Sequence, residues 1–253
     1  MLAIERRREI MTILQDGKSV LVSDLSKKFD VTEETIRRDL EKLEREGLVK
    51  RSYGGAVLNE NTSMDLPFDV REITNIEAKQ KIAQKVSSFI EDGDTLMIDS
   101  SSTALQLAKY IKEKKNITVI TNSLSMLLEL NNAENIRTIS TGGDLRSSSL
   151  SFVGYLSEKA IKSYYVDKAI LSCKAINMNK GILESSEMEA YIKKAMVERA
   201  QKTFLLLDST KFDIVSFVNI TEFDNIHSIF TDKKLSPEWE QFCQDRNVNI
   251  IYS

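Results

Sequence analysis

Two sets of residues in this chain have types and spacings that suit chemistry. The first lies in residues 32–53, TEETIRRDLEKLEREGLVKRSY. At about 100° per residue, Ile36, Leu40 and Leu43 fall on one side of a helix. Glu34, Arg38, Glu41 and Arg45 fall on the other, flanked by Thr35 and Lys42. Guanidinium and ammonium groups neutralise phosphates, and Arg and Thr side chains can read base edges. The candidate nucleic-acid contacts are therefore Thr32, Glu34, Thr35, Arg37, Arg38 and Lys42, followed by Lys50, Arg51 and Tyr53. Helical phase leaves open which of Arg37 and Arg38 meets a base. In isolation the same pattern describes a solvated amphipathic helix, so its surroundings decide the reading.

The second set follows four short apolar runs. Asp99-Ser100-Ser101-Ser102-Thr103 follows residues 95–98, and Thr121-Asn122-Ser123 follows 117–120. Thr141-Gly142-Gly143-Asp144 follows 136–139, and Asp208-Ser209-Thr210-Lys211 follows 204–207. Hydroxyls and free backbone amides at a helix start suit a phosphate. Gly142 and Gly143 permit close backbone approach, and Arg146 or Lys211 can add positive charge. Asp99 and Asn122 suit sugar hydroxyls. Singly, each piece is an ordinary cap or turn. Their repetition after successive strands points to one shared effector site.

Catalytic sets are weaker. Asp99, Glu187, Glu189 and Lys193 supply acids and a base for a sugar-phosphate isomerase, the rival function class. The one histidine, His227, opens a late apolar run and reads as a surface or strand-end residue. No nucleophile–base pair, zinc spacing or Walker loop is present. Cys173 and Cys243 stand far apart and read as reduced thiols. No catalytic residue, metal or cofactor is expected.

These residues need elements to position them. Ile4, Ile10, Ile13 and Leu14 mark a helix over 1–15, and residues 22–29 a second, with Ser23 or Asp24 near its cap. Asp30-Val31 has the length of a helix-turn-helix link. Thr32 suits an N-cap, Glu33 and Glu34 suit the positive helix end, and Gly47 suits the C′ position. Residues 48–53 read as a strand, Gly54-Gly55 as a turn, and 56–58 as a return strand, together a wing. Residues 1–58 thus read as a winged helix-turn-helix DNA-binding domain, its cationic face drawn from Arg6, Arg7, Arg8, Lys27, Arg37, Arg38, Lys50 and Arg51. Residues 59–75 are polar and carry Pro67; they read as a linker that docks in part through Phe68, Val70 and Ile73.

From residue 76 to 253, helical and apolar strand segments alternate. Helices are expected over 76–89, 103–111, up to 130, 154–163, 187–199 and 238–245. Strands are expected over 95–98, 117–120, 136–139, 168–171, 204–207, 226–230 and 248–252. Continuous apolar strands between helices indicate an α/β domain with a mainly parallel sheet covered on both faces. Loops at the carboxyl ends of such strands gather where ligands bind. Met126, Leu127, Leu128, Leu130, Phe152, Tyr155, Tyr164 and Tyr165 invite an interface assignment but read mainly as core, and Trp239 fits either equally.

The whole chain sets bounds. It has 253 residues, 42% hydrophobic and 29% charged, which suits a folded globular protein. No apolar run approaches the roughly 18 residues of a membrane span. Charges at Glu5 to Arg8 exclude a secretory leader, so a cytoplasmic location is expected. The net charge of −3 is unlike a nucleic-acid binder, but residues 1–58 carry +1 and the rest −4. A weakly charged head can still bind DNA if its cations share a face.

Residues 34–56, ETIRRDLEKLEREGLVKRSYGGA, closely resemble the signature of the DeoR family of bacterial transcriptional regulators. A histidine commonly precedes the paired glycines there; this chain has Tyr53. The run DGDTLMIDSSST at 92–103, Thr121 to Ser123, Thr141 to Gly143, Gly154, Asp167 and Asp208 to Phe212 are similar to the DeoR sensor domain. The resemblance implies a body resembling the ribose-5-phosphate isomerase fold and a hinge that repositions the head. It implies a homo-oligomer, a dimer or tetramer, that binds double-stranded operator DNA. The expected effector is a phosphorylated sugar or related metabolite, and the expected role is repression of a carbohydrate operon. The family's Ser-Gly-Thr-Thr is Ser100-Ser101-Ser102-Thr103 here, a change expected to narrow the loop or demand another backbone angle.

Overall fold

A computed structural model describes residues 1–17, 19–59 and 66–253. They form two compact units, Met1–Thr74 and Asn75–Ser253.

The first unit contains α1 (Ala3–Gly17), β1 (Ser19–Leu21), α2 (Val22–Phe29), α3 (Glu33–Arg45), β2 (Val49–Ser52), β3 (Gly55–Leu58) and α4 (Phe68–Ile73). Its core joins Ile10, Met11 and Leu14 of α1 to Ile36, Leu40 and Leu43 of α3, the face that periodicity marks. Thr32 caps α3, its Oγ1 accepting from the Thr35 amide. Glu46 closes the helix and Gly47, at φ +75°, follows in the left-handed region. β2 and β3 form the antiparallel wing. The structure adds β1, which pairs with β3 on its other edge.

Two local expectations are corrected. Neither Ser23 nor Asp24 caps α2; the helix begins at Val22, whose N–H donates to the Gly54 carbonyl at 2.8 Å. The wing's turn thus takes up an amide that helix starts leave open. The neighbouring Gly55 is obligatory, since a Cβ there would lie 2.0 Å from the Val20 carbonyl oxygen. Within the expected linker, residues 60–65 lie outside the described residues. Residues 68–73 form α4, which buries Val70 in the first unit's core and holds Asp69 3.0 Å from Arg8.

The second unit contains α5 (Ile76–Ser87), β4 (Thr95–Ile98), α6 (Ser102–Leu105), α7 (Ala108–Ile111), β5 (Ile117–Thr121), α8 (Leu124–Leu130) and β6 (Ile136–Ser140). A hairpin follows, β7 (Asp144–Arg146) and β8 (Ser151–Val153), then α9 (Tyr155–Lys162) and β9 (Val166–Leu171). Next come β10 (Ala175–Asn177), β11 (Gly181–Glu184), α10 (Glu187–Glu198) and β12 (Ala200–Leu207). β13 (Val218–Thr221), β14 (Ser228–Thr231), α11 (Pro237–Asp245) and β15 (Asn249–Tyr252) complete it. The expected helix over 103–111 is two separate turns, α6 and α7.

The main sheet has the order β15-β14-β12-β9-β4-β5-β6, and every pairing in it is parallel. Strand order runs outward both ways from the β4–β9 pair, a switch point whose carboxyl end is where α/β sheets bind ligands. The fold therefore has the two expected parts, a winged helix-turn-helix unit and an α/β unit with a parallel sheet. The small antiparallel sheet β10-β11-β13 and the β7–β8 hairpin are additions. Trp239 is core, packed against Phe212, Phe223 and Phe242. Leu128, Tyr155, Tyr164 and Tyr165 are exposed instead of core.

Candidate functional site

The recognition candidates on the first unit share an open surface. Thr32, Glu34, Arg37, Arg38 and Lys42 of the α3 region and Lys50, Arg51 and Tyr53 of the wing are exposed, and Thr35 is half-buried. Tyr53, where the resemblance expects histidine, stands wholly in solvent at the wing's tip. The Arg38 side chain is 77% exposed and that of Arg37 54%. Each has a carboxylate one turn back, Glu33 at 2.5 Å from Arg37 and Glu34 at 3.3 Å from Arg38. Such exposed i,i+4 pairs contribute only about 0.3–0.5 kcal/mol. A phosphate can therefore displace the glutamate at little cost.

Arg51 couples wing to helix. Its backbone N–H donates to Glu44 Oε1 at 2.9 Å, and its Nε to Glu44 Oε2 at 2.6 Å. These two hydrogen bonds, the backbone one foremost, hold the Glu44 carboxyl below its ordinary range.

The expected cationic face is smaller than the sequence suggests. Arg6 and Arg7 point inward and share Asp39, at 2.5 and 3.2 Å. Asp39 sits on the core side of α3, 4% exposed. A carboxylate there must be paired, and the two arginines of α1 supply the pairing. Arg8 is committed to Asp69. Of the eight cations expected on the face, Lys27, Arg37, Arg38, Lys50 and Arg51 are exposed.

In the second unit, the strand register sets the effector candidates side by side. Ile98 pairs with Thr121, and Thr121 with Ser140, so the segments after β4, β5 and β6 emerge together. Thr121 Oγ1 donates to the Ile98 carbonyl at 2.6 Å, and the Thr141 amide to the Thr121 carbonyl at 3.1 Å. Ser100, Ser101, Ser102, Thr103, Thr121, Asn122 and Thr141 are all buried. Asn122 Nδ2 donates to the Phe152 carbonyl at 3.1 Å, while its Oδ1 is buried without a partner. Gly143 must be glycine: at φ +110° a Cβ would meet the Val153 carbonyl at 2.6 Å. Gly142 is also left-handed, at φ +60°.

Asp99 has a different role from the expected sugar contact. Its Oδ1 accepts from the Ser101 amide at 3.0 Å and the Ser101 hydroxyl at 2.5 Å. Its Oδ2 accepts from the Ser172 amide at 3.0 Å and lies 3.4 Å from Lys193 Nζ. Oδ1 thus braces the loop after β4, and Oδ2 ties that loop to the end of β9. Ser101 replaces the family glycine without strain, at φ −71° and ψ 146°. No special backbone angle is required, and its hydroxyl caps α6 by accepting from the Ala104 amide at 3.1 Å.

Besides Lys193, the cations Lys79 and Lys211 act near these loops. Lys79, which sequence reasoning missed, is 5% exposed, with Nζ 3.1 Å from Ser102 Oγ. A signal existed: Lys79 shares a helical face with Ile82, Ala83 and Val86, a phase at which an apolar residue is normal. Asp208 accepts from the Thr210 amide at 3.1 Å and the Asn75 side chain at 3.4 Å. Burial pushes its carboxyl up, but Lys211, the Thr210 hydroxyl and Lys79 together bring it below the ordinary range. Arg146 is engaged with Ser149 at 2.8 Å and Glu189 at 3.3 Å.

The residues imagined as isomerase acids and bases are also accounted for. Lys193 is buried against Glu184, the Ser172 carbonyl and Asp99. Burial alone lowers its pKa, but Glu184, Asp99 and Glu189 outweigh it and hold the ammonium charged. A base must shed its proton near neutrality, which this lysine does not. Glu187 is exposed and accepts from the Tyr191 hydroxyl. Burial pushes the Cys173 thiol up to about 12, so it is inert. Among the described residues no cluster could hold a metal ion.

Known proteins resemble this chain throughout. Residues 6–62 match the family model described as the DeoR-like helix-turn-helix domain, and residues 74–233 match the DeoR C terminal sensor domain. An uncharacterized HTH-type transcriptional regulator of Bacillus subtilis, YulB, is 42% identical over 250 residues, covering 99% of this chain and 96% of the relative. The L-fucose operon activator of Haemophilus influenzae is 34% identical over 237 residues, 94% of each. Among solved structures, ribose 5-phosphate isomerase A from Methanocaldococcus jannaschii overlaps 55% of each chain, with 17% identity and a TM-score of 0.40.

Proposed function

The chain belongs to the DeoR family of transcriptional regulators, and from that premise we propose that it represses a carbohydrate-metabolism operon until a phosphorylated sugar releases it. It is a DNA-binding regulator and not a sugar-phosphate isomerase. Thr32, Thr35, Arg38 and neighbours on α3 enter the groove, while Lys50, Arg51 and Tyr53 of the wing meet phosphate. Paired or repeated operator half-sites call for a homo-oligomer. No helix among the described residues is long and apolar enough to cross a membrane, and we place the protein in the cytoplasm with its DNA.

One observation carries the effector reading. A buried ammonium, that of Lys79, faces a serine-rich loop at the switch point of a parallel sheet. Phosphate oxygens suit both the Lys79 ammonium, whose charge also acts on Asp208, and the hydroxyls around it. Ser100 to Thr103, Thr121, Asn122, Gly142 and Gly143 then surround the sugar, with Lys211 and Arg146 as further cations. The effector must prefer the DNA-free arrangement, or it shifts nothing.

The test is a panel of sugar phosphates and their unphosphorylated sugars, applied to the protein on DNA from its own upstream region. Release by a phosphorylated member alone supports the reading; release only by an uncharged sugar sinks the phosphate site. The sign of regulation is read from transcription in the same assay, since the related L-fucose protein is named an activator.

A further inference from the structure

We propose that an exposed apolar strip on the first turns of α9 and α10, extended by the segment before β13, is the surface on which a second copy of this chain docks. Six side chains make it: Tyr155 at 74% exposure, Leu156 at 65%, Met188 at 54%, Tyr191 at 49%, Val215 at 47% and Phe217 at 60%. They come from three stretches of sequence, and the fold gathers them. α9 and α10 pack against each other, close enough for the Glu158 charge to act on the Tyr191 hydroxyl. Val218 pairs with Glu184, three residues before α10 begins, which sets Phe217 and Val215 beside the start of that helix.

The strip is large for a surface that faces water. Three aromatics and three aliphatics at these exposures present roughly 700 Å², near the ~800 Å² each partner gives to a standard interface. Monomers seldom leave so much contiguous apolar surface open. The rim favours a copy of this chain over another protein. Glu158 and Glu187 stand on the same helices as Lys159, Lys162 and Lys194, with Glu158 3.3 Å from Lys162, so the helices that carry the strip bear both signs. A two-fold axis sets an acid of one copy against a lysine of the other, as an isologous contact requires. A surface made for a differently charged partner would carry one sign. The inference rests on the homo-oligomer of the proposed function and supplies its contact surface.

The experiment is sedimentation velocity on the full chain across a wide concentration range, with Leu156→Asp, Met188→Asp and the double variant. The wild type is expected to sediment as a dimer or larger. Each charge should weaken self-association by at least about 30-fold, with an unchanged thermal melt. A conservative control, Leu156→Met, should remain associated. A monomeric wild type, or a folded double variant that associates like wild type, overturns the proposal. Salt-dependent binding of the variants to a single half-site is measured alongside. If that binding persists while the oligomer is intact to mutation, the surface is wrong and the operator reading stands. If it is absent in every protein, the operator reading fails by itself.

Discussion

Arg6 Nε lies 2.5 Å from Asp39 Oδ2, joining the first helix to the core side of α3. The contact is buried on both sides, and Arg7 closes it from the other carboxylate oxygen. It ties α3 to α1 through its buried side, while Arg38 stands exposed on the same helix. Breaking a buried pair by removing one partner leaves uncompensated charge and costs about 3–5 kcal/mol. Asp39→Ala is therefore expected to lower the stability of the DNA-binding unit by that amount, measured by chemical denaturation. A loss under about 1 kcal/mol would show the pair to be incidental.

The paired glycines of the wing give a second prediction. Gly55→Ala places a methyl 2.0 Å from the Val20 carbonyl, and backbone at that spot has no rotamer to escape into. The β1–β3 pairing and the Gly54 carbonyl's contact to Val22 should fail together. Overpacking of this kind costs about 1–3 kcal/mol or more. We expect lost operator binding with the melt of the sensor unit unchanged. Full operator affinity in the variant would contradict the tight closure.

The two adjacent arginines should separate by experiment. Arg38 is the more exposed, beside Glu34 and Lys42, and we assign it to the base edges. Arg38→Ala is expected to cost about 1–3 kcal/mol of operator binding and to relax preference at one position. Arg37→Ala should weaken all duplexes alike and flatten the salt dependence by about one ion. Binding measured across salt concentrations on operator and random DNA decides it; the reverse pattern exchanges the roles.

Much of this was readable from sequence, and the limits have a physical cause. α3 was legible because Ile36, Leu40 and Leu43 keep helical period and Thr32 and Gly47 punctuate the ends. The parallel strands were legible because each is a short apolar run followed by small polar residues. β1 was not: three residues between two helices become strand only by pairing with β3. Arg6 and Arg7 read as surface because arginine usually is, and their partner lies more than thirty residues away. Asp39 itself was the available hint, an acid at the phase of Ile36 and Leu43. Asp99 reads as a ligand in sequence because its engagement with the Ser172 amide is set by the β4–β9 pairing. Tyr155 and Tyr165 fit either an interface or a core by residue type, core being the commoner, and the structure exposes both.

Acid should act on the sensor unit through Asp208. Its folded pKa is depressed, although burial opposes this, because Lys211, Thr210 and Lys79 favour the carboxylate. A depressed carboxylate stabilises the fold above its unfolded pKa of about 3.9, and that stability is lost as pH falls through the folded value. Denaturation between neutral pH and pH ~3 should show stability falling at the acid end, less steeply in Asp208→Asn. Equal slopes would mean the carboxylate is not held by those cations. Lys193 acts at the opposite end: its raised pKa gives stability present below about 10.4 and lost only as pH climbs above that.

The most direct test of the effector site is Lys79, because it can be removed without touching the sheet. Its Nζ meets Ser102 Oγ at 3.1 Å, and its stem lies on the face of α5 that carries Ile82 and Val86. Methionine keeps that stem and loses the charge, so Lys79→Met should leave operator affinity near wild type, with stability lowered only by what the ammonium gives to Asp208. A charge-assisted hydrogen bond to phosphate is worth about 1.5–3 kcal/mol, so the concentration of sugar phosphate needed for release should rise about 10- to 150-fold. Ser102→Ala should produce a smaller rise, since it removes a neutral partner of the same oxygens. A Lys79→Met protein that releases at the wild-type concentration would place the anion elsewhere among these loops. Arg146 and Lys211 would then be the cations to vary, and the buried ammonium at residue 79 would be a brace between α5 and α6.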